Sequence, residues 1–243
     1  MVYSPDGTAL AFTSTRSGSS QIWISRLDAP GEIVQISDLP LSVGDLCWTS
    51  HGQLFFSCSI FPDLGITGTA AKEEELAALK ASGVDVRSYT ELPIRHWDVD
   101  LDGKRNHLFC CTITRQDEAD GSGWALGEPH DLLEGLDCDC PLRPFGGAED
   151  YSVAPDGASV VYCARPADAT DEAWSTNTHL WLLPLDGAAP AAGSAPLCLT
   201  EGNLGYDTHP LFSPDGHTLA YLSMETPGYE ADTNRLMLLD LSL

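Results

Sequence analysis

One tetrapeptide recurs and constrains the fold more than any other feature: Ser4-Pro5-Asp6-Gly7, Ala154-Pro155-Asp156-Gly157 and Ser213-Pro214-Asp215-Gly216. In each copy proline presets φ at the first corner, aspartate can accept hydrogen bonds from the backbone that follows, and glycine accepts a positive φ. Such a unit closes a tight hairpin, so its flanks are expected to pair as strands. The runs Ala9 to Ser14, Val160 to Cys163 and Leu219 to Ser223 follow the turns. After a loop, each is succeeded by a third apolar run: Gln21 to Ile24, His179 to Leu183 and Arg235 to Leu239.

Two degenerate copies fill the middle. Thr49-Ser50-His51-Gly52 precedes Leu54-Phe55-Phe56-Ser57, and Asp100-Leu101-Asp102-Gly103 precedes His107-Leu108-Phe109-Cys110. The marked glycines recur at intervals close to the blade period of roughly 40–50 residues in propeller repeats. The chain is therefore read as all-β, a partial β-propeller of about five TolB-like or WD-like blade units occupying residues 1–243. Only Met1-Val2-Tyr3 precede the first turn and the last residues follow a third strand, so an arc is expected rather than a closed ring. One stretch departs from the pattern. Ala70 to Ser82 has high helix propensity with Gly83 as its stop, which predicts an inserted surface helix between a blade's second and third strands.

Composition excludes partners more than it names them. With 36 acidic against 12 basic residues the formal charge is −24, which disfavours nucleic acid and anionic membrane surfaces. A hydrophobic share of 43% argues against disorder, and no apolar stretch is long enough to span a bilayer. A soluble chain is expected, and without a visible export signal at Met1 the cytoplasm is the default compartment. The eight cysteines are irregularly spaced in a chain too long to need a disulfide scaffold, so buried thiols are expected.

Several motifs invite chemistry and decline it. Asp98-Val99-Asp100-Leu101-Asp102-Gly103 copies the start of a calcium loop, but its twelfth position is Phe109 where a bidentate glutamate is required. Cys138-Asp139-Cys140 and Cys110-Cys111 lack the paired spacing of a zinc site. No metal or cofactor is assigned. The G-x-S-x-G nucleophile elbow is absent, so no catalytic residue is assigned either. The long connections to the third strands should emerge together on one face, opposite the short turns. They include Pro62 to Glu91, Arg165 to Asn177 and Met224 to Asn234, where carboxylates stand beside aromatic residues, Tyr229 and Glu230 among them. Glu172, Trp174, Asn177 and Glu225 are the candidate substrate-binding residues of that rim.

Longer segments carry a resemblance. Ile94-Arg95-His96-Trp97-Asp98 with Gly103 to Phe109, Pro144-Phe145-Gly146-Gly147-Ala148-Glu149-Asp150-Tyr151, Ala173 to Thr178 and Tyr221 to Asp232 resemble, in order and spacing, the dipeptidyl peptidase 5 and acylaminoacyl-peptidase branch of the prolyl oligopeptidase family. The resemblance covers nearly the whole chain. It implies a propeller that caps an α/β-hydrolase domain, limits access to short peptides and helps bind the substrate's amino end. The implied partners are that hydrolase domain of the full-length protein and a short peptide substrate. The family's triad motif has no counterpart here, so an incomplete propeller without its catalytic domain is expected, inactive alone. A stand-alone TolB-like propeller serving as a protein-interaction or ligand-binding module is the alternative.

Overall fold

The computed structural model describes residues 1–28, 33–84, 86, 95–96, 98–116, 123–165 and 174–242. The chain winds into consecutive antiparallel sheets. The first runs β1 (Val2–Tyr3), β2 (Ala9–Ser14), β3 (Gln21–Arg26), β4 (Ile33–Gln35), in that order. The second is built from β5 (Val43–Trp48) and β6 (Gln53–Ile60). It continues, after the helix α1 (Gly65–Ala81) and a small hairpin of β7 (Arg95–His96) and β8 (Val99–Asp100), with β9 (Arg105–Arg115). Two short strands, β10 (Trp124–Leu126) and β11 (His130–Asp131), pair with β9. The third sheet orders β12 (Tyr151–Val153), β13 (Ser159–Ala164), β14 (His179–Asp186) and β15 (Ala189–Pro190), with β16 (Leu197–Cys198) also on β14. The fourth is β17 (Tyr206–Phe212), β18 (Thr218–Met224) and β19 (Arg235–Asp240).

The recurring tetrapeptides make these meanders as expected. Gly7, Gly157 and Gly216 sit at φ of 70°, 70° and 75°, each between the first and second strand of its sheet. Asp6 Oδ1 accepts the Thr8 amide at 3.0 Å and the Ser4 hydroxyl at 2.6 Å; Asp215 repeats this with His217 at 3.0 Å and Ser213 at 2.5 Å. These bonds hold the Asp6 carboxyl down to about 2. The Thr49-to-Gly52 copy performs the same task between β5 and β6. The Asp100-to-Gly103 copy does not open a sheet of its own. Gly103 has the φ of a turn at 82°, but the strand it leads into, β9, pairs along β6 as the third strand of the second sheet. The five marked turns thus belong to four blade-like sheets, because a long insertion separates β6 from β9.

That insertion contains the predicted helix, in the predicted place but starting earlier, at Gly65. Its first turn is poor in helix formers, and packing compensates. The Phe61 amide donates to Thr69 Oγ1 at 2.9 Å, and Ile66 and Ala70 pack against the core between the first two sheets. Lys104 ties Glu73 at 2.7 Å.

Each sheet covers the next through alternating residues. Ala11, Ile22 and Ile24 of the first meet Leu54, Phe56 and Phe109 of the second. Phe55, Leu108 and Cys110 then meet Tyr151, Val160 and Tyr162 of the third, whose Val161, Cys163 and Leu180 meet Leu219 of the fourth. Burying each of the Leu, Ile, Val and Phe side chains among them contributes about 1.5–3 kcal/mol. At the turn end the seams are also polar: Gln53 Nε2 donates to the Gly157 carbonyl at 2.9 Å and to that of Gly187 at 2.5 Å. His107, fully buried in β9, places Nδ1 at 2.8 Å from Asp131 Oδ2 and Nε2 at 3.2 Å from the Leu136 carbonyl.

Candidate functional site

The register places the ends of β13, β18 and the start of β17 at the edge away from the tight turns, because Tyr206 pairs with Met224 and Ala164 with His179. There, where the third and fourth sheets meet, a cavity of about 700 Å³ opens. Its floor comes from β17, whose ladder with β18 is interrupted between Thr208 and Leu211. His209 occupies the irregularity at φ 54°, a left-handed conformation that costs a non-glycine residue roughly 1–2 kcal/mol. Asp45 holds the matching place in β5 at φ 50°. In the second sheet its carbonyl accepts the Tyr151 hydroxyl, whereas in the fourth the irregular strand presents Tyr206, Thr208 and His209 to the cavity.

One wall is the segment from Leu142 to Asp150, which ends in a 3-10 turn over Ala148–Asp150. Buried Asp150 pins it: Oδ2 accepts the Leu142 amide at 2.9 Å, and Oδ1 accepts the Thr208 hydroxyl at 3.2 Å, across the seam. Burial pushes the Asp150 carboxyl above its ordinary value, opposed by those two bonds. With the Thr208 proton directed to Asp150, the contact of 3.2 Å between Thr208 Oγ1 and His209 Nδ1 is satisfied with the ring nitrogen as donor. The segment closes on itself through the Gly146 amide, which donates to the Leu142 carbonyl at 2.7 Å. Only glycine fits there, since a Cβ on Gly146 would stand 2.0 Å from Asp150 Oδ2 and 2.5 Å from Leu142 backbone atoms.

The other wall is the β18–β19 connection. Asp232 shapes it by accepting the amides of Glu225, Thr226 and Thr233 at 3.2, 2.9 and 2.7 Å, which hold its carboxyl down to about 2. Tyr229 and Glu230, from this loop, line the cavity. The lining is mixed in character. Leu142, Phe145, Tyr206 and Met224 give apolar surface, Glu149 and Glu230 give exposed carboxylates, and Arg143 and Arg165 give guanidinium groups. Arg143 is engaged by Asp139 at 2.9 Å and by the Lys104 carbonyl; Arg165 donates to the Ser175 carbonyl.

The candidate residues from the sequence are distributed around this cavity. Glu172 lies outside the described residues. Trp174 is 81% exposed. Asn177 is half-buried between Thr176 and Thr178, both of which line the cavity, and its buried Oδ1 has no hydrogen-bond partner among the described residues. Glu225 is exposed and paired with Arg235 at 3.0 Å, between lining residues Met224 and Thr226. The reading from sequence did not single out Arg165, Thr208 or His209. The consecutive Gly146-Gly147, which mark a backbone too crowded for side chains, were the available sign of the Leu142-to-Asp150 wall. Among the described residues no group of three or more His, Cys, Asp or Glu is arranged to hold a metal ion, and no helix is long and apolar enough to cross a membrane.

No protein-family profile matches the chain. Dipeptidyl-peptidase 5 of Porphyromonas gingivalis is 31% identical over 237 residues, covering 98% of this chain and 31% of that protein. The probable dipeptidyl-peptidase 5 of Emericella nidulans is 30% identical over 249 residues, covering 100% of this chain and 33% of its own length. This chain is homologous to part of the dipeptidyl-peptidase 5 proteins. It spans about a third of the length of the curated relatives it matches. Among solved structures, a putative TolB from Agrobacterium tumefaciens aligns over 98% of this chain and 60% of its own, with a TM-score of 0.46 and 16% identity. An acylaminoacyl peptidase aligns over 98% and 36%, with a TM-score of 0.41 and 11% identity. Three of the segments that carried the dipeptidyl-peptidase 5 resemblance each contribute to the lining of this cavity: Pro144, Phe145 and Glu149 from the first, Thr176 and Thr178 from the second, and Met224, Tyr229 and Glu230 from the third.

Proposed function

We propose that this chain is the substrate-gating propeller portion of a serine exopeptidase acting on short peptides, and that the cavity between the third and fourth sheets holds the amino end of the peptide. The observation that carries this reading is the convergence just described: the dipeptidyl-peptidase-like segments meet at a cavity whose chemistry suits a peptide terminus. An ammonium group finds Glu149 and Glu230, with the unpaired Asn177 Oδ1 and the candidates Glu172, Trp174 and Glu225 close in sequence to the lining. Peptide carbonyls find Arg165, and side chains find Leu142, Phe145 and Met224. Hydrolysis belongs, in this reading, to an α/β-hydrolase domain outside these residues, against which the propeller end carrying the cavity sits. Whether the full protein releases dipeptides or acyl-amino acids is a property of that domain.

The test is an assay with a dipeptidyl chromogenic substrate. The purified chain is expected to release no chromophore alone. Fused in place of the matching third of the Porphyromonas gingivalis relative, it is expected to support release. Turnover by the isolated chain, or a folded fusion without turnover, would refute the assignment; the second result would favour a stand-alone ligand-binding propeller.

A further inference from the structure

His209 reaches the cavity floor from the irregular stretch of β17, at φ 54°. The matching residue of β5, Asp45, is used inside its own sheet, where the Ser57 hydroxyl donates to its Oδ2 at 2.5 Å. The His209 ring is anchored on one side alone. Its Nδ1 lies 3.2 Å from Oγ1 of buried Thr208, and its Nε2 has no partner among the described residues. Thr208 belongs to the floor, so an imidazole held to it through Nδ1 directs the opposite edge of the ring, with Nε2, away from the floor and into the cavity.

The order of hydrogen bonds fixes what that nitrogen offers. A threonine hydroxyl has a single proton to give. Thr208 gives it to Asp150 Oδ1 at 3.2 Å, while Asp150 Oδ2 takes the Leu142 amide at 2.9 Å. Thr208 Oγ1 therefore accepts from His209, Nδ1 carries the ring hydrogen, and the neutral ring shows the cavity a bare lone pair on Nε2. Protonation of the imidazole reverses this, because both ring nitrogens then donate. Protonation of Asp150 acts in the same direction. With Oδ2 held by the Leu142 amide, the added proton sits on Oδ1 and donates to Thr208, whose own proton turns to His209 Nδ1 and leaves the ring hydrogen on Nε2.

We propose that His209 is a specificity-determining residue of this cavity: the neutral ring accepts, through Nε2, a hydrogen bond from the ammonium group at a peptide's amino end. Thr208 and Asp150 are positioning residues that hold the ring in the accepting tautomer. The inference rests on the reading of the cavity as an amino-end site. Glu149 and Glu230 attract a cation from any direction, whereas an aimed lone pair fixes where its hydrogens point. The other titratable and charged groups sharing the cavity are Arg143, Glu149 and Asp150 of one wall, Arg165 just past β13, Tyr206 of β17, and Tyr229 and Glu230 of the other wall. Replacing the imidazole alone separates its contribution from theirs.

Two measurements test this. The first is long-range proton–nitrogen correlation spectroscopy of the chain carrying isotopically labelled histidine, with His209→Asn identifying one signal among the seven histidines. At neutral pH His209 should carry hydrogen on Nδ1 and none on Nε2. Thr208→Val should lose this tautomer, and Thr208→Ser, which keeps the hydroxyl, should retain it. The second is calorimetric titration with trialanine amide, whose amino end is free. Affinity should fall on the order of fivefold from about pH 7.5 to about pH 5.5, the range in which histidine takes up a proton. Asparagine tolerates the left-handed backbone but does not titrate, so His209→Asn should bind more weakly at the upper pH and lose most of the fall. Hydrogen on Nε2 in the parent, or a tautomer that Thr208→Val leaves in place, overturns the proposal. Equal affinity at both pH values, or a fall that His209→Asn leaves unchanged, also overturns it while leaving the amino-end cavity standing. Absence of peptide binding at every pH overturns both.

Discussion

Replacing Gly146 by alanine tests whether the Leu142-to-Asp150 wall is held as described. The new Cβ would lie 2.0 Å from Asp150 Oδ2 and 2.5 Å from the nitrogen and oxygen of Leu142, and the latter two are backbone atoms that cannot rotate away. The segment must then open. Opening forfeits the Leu142-to-Asp150 and Gly146-to-Leu142 bonds of 2.9 and 2.7 Å and leaves a buried carboxylate short of a donor. Overpacking of this kind costs about 1–3 kcal/mol, and stranding a buried acceptor costs about as much, so Gly146→Ala should lose roughly 2–4 kcal/mol. With urea slopes of about 1–3 kcal/mol per molar, the unfolding midpoint should fall by on the order of 1–2 M. Gly202→Ala is the control, because nothing stands within 4 Å of its Cβ. It should change stability by no more than about 1 kcal/mol. If Gly146→Ala unfolds at the same urea concentration as the control, the cradle does not exist as drawn.

Three further outcomes follow from the same geometry. Burial raises the folded carboxyl of Asp150 above its ordinary value of 3.8, so its contribution to stability is full below that value and fades as pH rises through the folded one. Asp150→Asn removes the dependence; the variant should gain on the parent from acid towards neutral pH in paired urea titrations, and a difference that runs the other way contradicts the assignment. Gln53→Ala strands the Gly157 and Gly187 carbonyls at the seam between the second and third sheets and should cost about 1–3 kcal/mol, measured by the same unfolding assay; a neutral effect would mean the seam does not need the bridge. Burial pushes the Cys47 thiol up to about 11 and those of Cys58, Cys111 and Cys138 up to about 12. Iodoacetamide at neutral pH should therefore label the native chain at these four thiols far more slowly than the urea-unfolded chain, by mass spectrometry; equal rates would show them accessible.

The hairpin turns were legible because their chemistry is local: proline, aspartate and glycine each do one thing within four residues, and Gly7, Gly52, Gly157 and Gly216 all take the positive φ that such turns require. The same locality misassigned Gly103. A turn is not labelled with the sheet it serves, and only the pairing of β9 with β6, across the helical insertion, shows that it belongs to the second sheet. The start of α1 was obscured for the opposite reason, since Gly65 and Gly68 argue against helix and only the tertiary contacts of Ile66, Thr69 and Ala70 extend it there. The cavity was half visible. Alternating loops pointed to the region of Tyr229 and Glu230, but Thr208 and His209 reach the cavity through an irregular strand whose left-handed residue carries no glycine to announce it.

Calorimetric titration of the chain with a short peptide, its amino terminus free or acetylated, tests the central claim most directly. The free peptide should bind without being cleaved, acetylation should weaken binding by on the order of tenfold, and Glu149→Gln with Glu230→Gln should remove the distinction between the two. Equal affinity for both peptides, or a preference for the acetylated one that survives these substitutions, would contradict a cavity that receives the peptide's amino end.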